Sequence, residues 1–268
     1  MNVRSQPTIT VITVTLNDLH GLKKTLSSVE AQTARGFEHW VIDGGSTDGS
    51  RDVLVDYVAS KPTSHFVSEP DGGIFDAMNK GIGLATGDLL VFLNSGDCFT
   101  DPGVLDFVAN EWVGGTWEWG YGAVRYVTET GEVNSGSLQA PFRRRRLQLG
   151  FQFAPWPATY ISSELIRRIG LFDVRFGFAA DQELAIRAAA VAEPVTWVRF
   201  MADFLLGGVH SQSSFMARER LWHRMRVHNG VPVIGSRTAD SMAAILIASA
   251  REIRRRGAGL VRRKGPDR

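Results

Sequence analysis

Val41-Ile42-Asp43-Gly44-Gly45-Ser46-Thr47-Asp48-Gly49-Ser50 and Val91-Phe92-Leu93-Asn94-Ser95-Gly96-Asp97 share one form: an apolar run that stops on turn residues carrying a carboxylate. Short apolar runs closed by turn residues read as strands buried on both faces, as in parallel sheets. Asp43 and Asp97 are therefore expected together at the carboxyl edge of one sheet, where open α/β sheets bind their ligands.

Working outward, residues 8–15 read as a strand, 21–32 as an amphipathic helix, 39–42 as a strand and 50–59 as a helix. A strand at 65–68, a helix at 74–84 opened by Asp71-Gly72-Gly73, and a strand at 88–94 continue the alternation. Gly, Asn, Asp and Ser mark the junctions. Such alternation predicts an α/β fold with a mostly parallel sheet and right-handed crossovers. Beyond Pro102 the rhythm changes. A helix at 104–112 precedes a hairpin of 119–127 and 132–137 around Glu129-Thr130-Gly131, and a basic connector spans 141–150. Helices at 163–169 and 181–190, a strand at 195–200, and helices at 215–228 and 237–256 complete the reading. The expected organisation is a domain over 1–213, with a nucleotide-binding half to residue 100 and an acceptor half beyond it, then a helical basic extension over 214–268.

The chain has 268 residues, of which 44% are hydrophobic, enough for a large core. One cysteine, Cys98, excludes an internal disulfide framework and a cysteine-based zinc site. Residues 1–7 lack the cationic start and apolar stretch of a secretory signal, so a cytosolic location is expected. No apolar stretch approaches the roughly 18 to 20 residues that span a bilayer. The net charge of +2 conceals an asymmetry: residues 251–268 carry seven Arg and one Lys against Glu252 and Asp267, a net +6, which leaves −4 for the rest. A basic amphipathic segment of this kind suits an anionic membrane surface, here 242–268 on the inner face of the plasma membrane. No motif that reads RNA or DNA accompanies it, so nucleic acid is not an expected partner.

No Gly-x-x-x-x-Gly-Lys-Ser/Thr occurs, and Gly81-Ile82-Gly83-Leu84-Ala85-Thr86-Gly87 has the wrong spacing and place for a dinucleotide fingerprint. What remains are four blocks that follow successive strands: Thr15-Leu16-Asn17; Asp43 to Gly49; Ser68-Glu69-Pro70-Asp71-Gly72-Gly73-Ile74-Phe75-Asp76-Ala77-Met78-Asn79-Lys80-Gly81; and Phe92 to Asp97. In that order, over residues 8–213, they resemble the family 2 inverting glycosyltransferases of GT-A fold, most closely the bacterial subgroup that builds surface polysaccharides and glycolipids. The resemblance implies a GT-A, Rossmann-like sheet with helices on both faces and a smaller antiparallel portion on the acceptor side. It also implies a nucleotide-diphosphate sugar donor with a preference for uracil, a divalent cation (Mg²⁺ or Mn²⁺), a glycan or lipid-linked acceptor, and inversion at the anomeric carbon.

Residue by residue, the resemblance gives Asp43 the base of the donor, with Thr15 and Asn17 lining the same pocket. An ionised carboxylate offers only acceptors, which suits a base edge that donates N–H. Asp71 is implied to face the donor ribose or sugar, with Asp76 and Lys80 beside it; each also has a plain reading as a helix-start carboxylate or a solvated lysine. Asp97 carries the metal argument, because a carboxylate-held cation neutralises the charge that develops on a departing diphosphate. Ser95-Gly96-Asp97 keeps only the last acid of the family's usual pair, leaving Asn94 and Ser95 as contacts to donor or metal-bound water. Asp181 matches the general base, in the first residues of a helix that it is also suited to cap. His210 is implied as a further metal or phosphate contact. Glu183 reads as a helix-surface acid, Trp156 stands where relatives often have His-Gln, and Trp117, Trp119 and Tyr121 alternate as core or sugar-stacking rings. The competing reading, motivated by the reduced metal motif, is a non-catalytic nucleotide-sugar-binding or scaffold protein of a membrane-associated polysaccharide assembly complex. Oligomeric state is open, a homo-oligomer included.

Overall fold

The computed structural model describes residues 6–112, 114–206 and 215–232, with positions 236, 238–240, 242, 246 and 249. Two compact units divide the chain: Met1–Phe142 with Ala154–Val209, and Arg143–Phe153 with His210–Arg268.

The first unit opens with the expected alternation: β1 (Ile9–Thr15), α1 (Leu19–Glu30), β2 (Glu38–Asp43), α2 (Ser50–Ser60), β3 (Ser64–Ser68), α3 (Ile74–Leu84) and β4 (Leu89–Phe92). It continues with β5 (Cys98–Phe99), α4 (Val104–Glu111), β6 (Trp119–Val127) and β7 (Val133–Ser137). Within the second unit lies the short helix α5 (Arg144–Gln148). The first unit resumes with β8 (Thr159–Ser162), α6 (Ser163–Ile169), α7 (Ala180–Val191) and β9 (Val195–Leu205), and α8 (Phe215–His228) belongs to the second. Of the helix expected at 237–256, positions 238–240, 242, 246 and 249 are helical and the rest lies outside the described residues. Among the described residues no helix is long and apolar enough to cross a membrane.

All seven residues of β1 and all four of β4 are buried, as strands covered on both faces require. The sheet runs β3-β2-β1-β4-β8-β6-β9-β5, with β7 on β6. The first four strands are parallel. Beyond β4 antiparallel pairing dominates, with one exception: β9 returns parallel to β6, because the intervening helices α6 and α7 provide the long crossover that parallel pairing needs. On one face Val11 and Val91 pack with Val29 of α1 and with Val104, Leu105 and Val108 of α4, while Val41 packs with Leu22, Leu26, Leu54 and Tyr57. On the other face α3 lies so close that a Cβ on Gly81 would fall 2.5 Å from the Ile12 methyl, so glycine sets the approach of helix to sheet.

One buried polar relay stands out in the first face. His39 is fully buried, with Nε2 3.0 Å from the Thr13 hydroxyl and Nδ1 2.8 Å from the Tyr57 hydroxyl. Burial pushes its pKa down to about 3, so the imidazole is neutral in the folded protein. In the unfolded chain it takes a proton below its ordinary value of 6.5, and the folded state does not follow until about 3. Its contribution to stability is therefore lost as pH falls through that window, at about 1.4 kcal/mol per pH unit. From pH 7.5 to 5, the wild type should lose about 2 kcal/mol more than His39→Gln by urea titration. Parallel pH dependences would remove His39 as the source.

Candidate active site

The carboxyl ends of β1, β2 and β3 stand in register, Thr15 beside Asp43 and Asp43 beside Ser68. The chain leaving β4 joins them, with the Ser95 N–H donating to the Val14 carbonyl at 3.0 Å. The sheet edge thus gathers the four blocks that the sequence singles out.

Asp43 is fully buried and both its oxygens are engaged. The Ser46 hydroxyl donates to Oδ1 at 2.5 Å, the Ser68 hydroxyl to Oδ2 at 2.6 Å, and the Ser46 N–H lies 3.2 Å from each. Asn17, with φ of 49°, donates its N–H to Ser46 Oγ at 2.7 Å, and its side-chain carbonyl accepts the Thr47 N–H at 2.9 Å. It fastens the exit of β1 to the loop after β2. Asp71 folds over that loop: a Cβ on Gly44 would lie 2.7 Å from Asp71 Oδ2, so Gly44 makes room for the carboxylate. Asp71 also accepts the Gly73 N–H at 2.8 Å, and Asp76 the Gly72 N–H at 2.9 Å. Lys80 returns to the same loop, pairing with Glu69 at 2.9 Å and donating to the Pro70 carbonyl at 3.0 Å.

Two buried polar atoms at this edge, the Thr15 hydroxyl and Asn94 Oδ1, have no hydrogen-bond partner among the described residues. An unpaired buried polar atom costs about 1–3 kcal/mol, so each marks a place where another group belongs. Ser95 is committed elsewhere, its hydroxyl donating at 2.7 Å to Asp18, the residue that caps α1. Asp97 is 4% exposed and its Oδ1 accepts the Leu205 N–H at 3.0 Å. Burial outweighs that bond and pushes its carboxyl up to about 7. Its Oδ2 has no hydrogen-bond partner among the described residues. His210 lies outside the described residues.

Asp181 occupies the first turn of α7, half-buried; the capping position is Ala179, which provides no side-chain cap. Its Oδ1 accepts the Gln182 N–H at 2.6 Å and its Oδ2 the Gln182 side-chain amide at 3.1 Å. Burial pushes the carboxyl up to about 6, against those hydrogen bonds, which pull it down. The same Gln182 amide pairs with the backbone of Ala154, donating at 3.0 Å and accepting at 3.2 Å. Asn79 does likewise to Phe172, at 2.9 and 3.0 Å. Between these two amides an aromatic cluster joins the elements: Phe172 packs on Phe75, Phe92 and Trp156 at centroid distances of 5.3, 5.2 and 5.1 Å. Phe92 ends β4, two residues before Asn94. A continuous chain of contacts therefore connects Asp181 to the strand edge.

Sequence reasoning does not find Asn79 or Gln182, because an amide that grips a distant backbone leaves no periodic signal. Glu183 corrects an expectation outright. It is fully buried instead of lying on the helix surface, held bidentately by Arg187 at 2.7–3.0 Å, because Arg187 also donates to carbonyls of the loop after α6 and draws the pair inward. Trp117, Trp119 and Tyr121 are all buried, and so serve the core. Trp156 is buried too, its indole N–H without a partner among the described residues. No cluster of three or more His, Cys, Asp and Glu suited to a metal ion occurs among the described residues.

This strand order and edge define a GT-A α/β fold, and solved structures agree. S. aureus TarS in complex with UDP-GlcNAc superposes with a TM-score of 0.65 at 16% identity, over 82% of this chain and 66% of that one. A mannosyltransferase from Pyrobaculum calidifontis, in complex with GDP-Man and Mn²⁺, gives 0.62 at 18%, over 96% and 81%. The family model described as glycosyl transferase family 2 matches residues 10–135. An uncharacterized glycosyltransferase of Mycobacterium tuberculosis is 44% identical over 213 residues, 77% of this chain and 78% of the relative. A PGL/p-HBAD biosynthesis glycosyltransferase of the same species is 36% identical over 104 residues, covering 38% and 41%. The chain belongs to glycosyl transferase family 2 and is a glycosyltransferase.

Proposed function

We propose that the chain moves a sugar from a nucleotide-diphosphate donor to a hydroxyl of a glycan or lipid-linked acceptor, with inversion at the anomeric carbon and Asp181 as general base. The observation that carries this reading is Asp181 itself: a half-buried carboxylate whose pKa of about 6 leaves it ionised, yet more basic than an ordinary aspartate, at neutral pH. A base tuned in this way accepts the acceptor hydroxyl's proton as that oxygen bonds to the anomeric carbon, on the face opposite the departing diphosphate.

The sheet edge suits the donor. Asp43 offers acceptors to a base N–H, which takes the place of the Ser68 hydroxyl now at 2.6 Å. Thr15 and Asn94 gain partners from donor hydroxyls, Asn17 holds the loop that walls the pocket, and Asp71, Asp76 and Lys80 border the ribose and sugar. A Mg²⁺ or Mn²⁺ ion would be held by Asp97, near Ser95, with His210 as a further contact. One carboxylate with an unengaged oxygen fits a cation that arrives with the diphosphate and keeps several waters, as Mg²⁺ does at phosphate-transfer sites. Bound there, such an ion would neutralise charge on the leaving group. The solved neighbours in complex with UDP-GlcNAc and with GDP-Man and Mn²⁺ support the donor class and the cation. The relative named for PGL/p-HBAD biosynthesis supports a glycolipid acceptor.

A thermal-shift screen of UDP-, GDP-, dTDP- and CDP-sugars with and without Mn²⁺ tests the reading. A donor at a hundred times its Kd should add about 2.7 kcal/mol of stability, with a larger shift when Mn²⁺ is present. No shift from any donor would overturn the proposal. The lone carboxylate in Asn94-Ser95-Gly96-Asp97 favours a second reading, a non-catalytic nucleotide-sugar binder of a polysaccharide assembly complex. Slow donor hydrolysis with Mn²⁺ rejects it; binding without any hydrolysis or transfer supports it.

A further inference from the structure

Arg143-Arg144-Arg145-Arg146-Leu147-Gln148-Leu149-Gly150-Phe151-Gln152-Phe153 carries four positive charges and no acid. All four arginines are exposed, and none has a carboxylate partner among the described residues. Exposed Arg167, Arg168 and Arg175 are each paired with a Glu or Asp, while Arg35, Arg51 and Arg220 stand singly in the sequence; Arg143–Arg146 are four consecutive exposed arginines without a carboxylate partner among the described residues. Two large apolar side chains in the same segment, Phe151 and Phe153, are also exposed, at 47% and 37%.

The segment is built, and its exposed side chains are held outward. Leu147 and Gln152 are buried and anchor it. The Gln152 side chain accepts the Arg143 N–H at 2.8 Å, and the N–H groups of Phe151 and Gln152 both donate to the Arg146 carbonyl, at 2.8 and 3.2 Å. From α8, the fully buried Arg226 donates to the Gln148 carbonyl at 2.8 Å and is itself held by Asp240 at 3.0 Å. Gly150, with φ of +66°, lies against the Trp222 indole. The loop is thus fixed within the second unit, its four arginines exposed and the side chains of Phe151 and Phe153 partly so.

We infer that Arg143–Phe153 is a docking surface for an anionic lipid bilayer, the arginines meeting lipid phosphates and the two phenylalanines entering the headgroup boundary. Unpaired cations alone fit any polyanion; rings among them favour a bilayer, whose interface accepts apolar side chains beneath the phosphates. Arginine's planar fork also matches phosphate oxygens. Met242 and Leu246, four positions apart in the same unit, are exposed too, at 64% and 69%. Where the acceptor is lipid-linked, which rests on the proposed function, such docking confines the enzyme to the surface that holds its substrate.

Co-sedimentation of the full chain with phosphatidylglycerol-containing vesicles, against pure phosphatidylcholine, tests the inference. The wild type should bind the anionic vesicles and release them as salt rises. With each cation contributing roughly a five-fold factor, Arg144→Gln/Arg145→Gln/Arg146→Gln should weaken binding about 100-fold even though the basic segment 251–268 is intact. The triple Arg→Lys chain should bind within a few-fold of wild type, which separates lost charge from lost fold. Phe151→Ser/Phe153→Ser should weaken binding and leave its salt dependence unchanged. The inference is overturned if the triple Gln chain sediments like wild type, if the wild type binds neither vesicle, or if single-stranded RNA retains the chain while anionic vesicles do not. Because donor-induced thermal shifts do not involve vesicles, failure here leaves the donor reading standing, and failure there leaves this one.

Discussion

Asp181→Asn is expected to lower turnover by about 10²- to 10⁴-fold while donor-induced thermal stabilisation survives, because the amide keeps the shape and loses only the capacity to accept a proton. The pH dependence carries the same signature. In the wild type kcat/KM should rise with pH through about 6, where the Asp181 carboxyl ionises, and then level off. Gln182→Leu removes the side-chain amide's hydrogen bond to Oδ2, which favours the ionised carboxylate, and should move that rise to higher pH. The Gln182 main-chain bond to Oδ1 remains in that variant, so the shift reflects the side-chain amide alone. Turnover in Asp181→Asn within ten-fold of wild type would remove Asp181 from the chemistry.

Arg187→Met is expected to destabilise the protein by about 3–5 kcal/mol, read as a fall in the urea midpoint at unchanged slope. Glu183 is fully buried, and Arg187 supplies its bidentate partner. Removing the arginine leaves a buried charge uncompensated. It also strips donors from the carbonyls of Ile169, Gly170 and Leu171, the loop that leads to Phe172. Replacing both partners, as in Glu183→Leu/Arg187→Met, should recover much of the loss, because two apolar side chains leave neither charge stranded. A single variant within 1 kcal/mol of wild type, by the same measurement, would show that the pair is solvated in solution, an expectation set by the small worth of exposed pairs.

The elements legible in the sequence are those with local signals. Helices Ile74–Leu84, Ser163–Ile169 and Phe215–His228 are found where the pattern puts them, since glycines, caps and apolar spacing mark their ends within a few residues. The strand edge was legible for the same reason, apolar runs halted by Asp43 and by Asn94 to Asp97. The strands β5 and β8 were not: two and four residues are too few to establish a period, and both depend on partners distant in sequence. The burial of Glu183 was hidden because an acid and a base four residues apart look like an exposed helix pair; its inward position follows from carbonyls beyond α6. Asp43 was legible as an edge carboxylate, whereas its engagement by Ser46 and Ser68 depends on a parallel neighbour that only the folded sheet brings alongside.

The amides of Asn79 and Gln182 grip main-chain atoms of Phe172 and Ala154, never their side chains. Fastenings of that kind are indifferent to what the fastened stretch displays. Leu171, Val174 and Phe178, all exposed in the stretch preceding Asp181, are therefore free to drift without loosening the mount that carries the Asp181 carboxylate. A lineage built on this frame can vary what that stretch displays while the seat of Asp181 stays where it is.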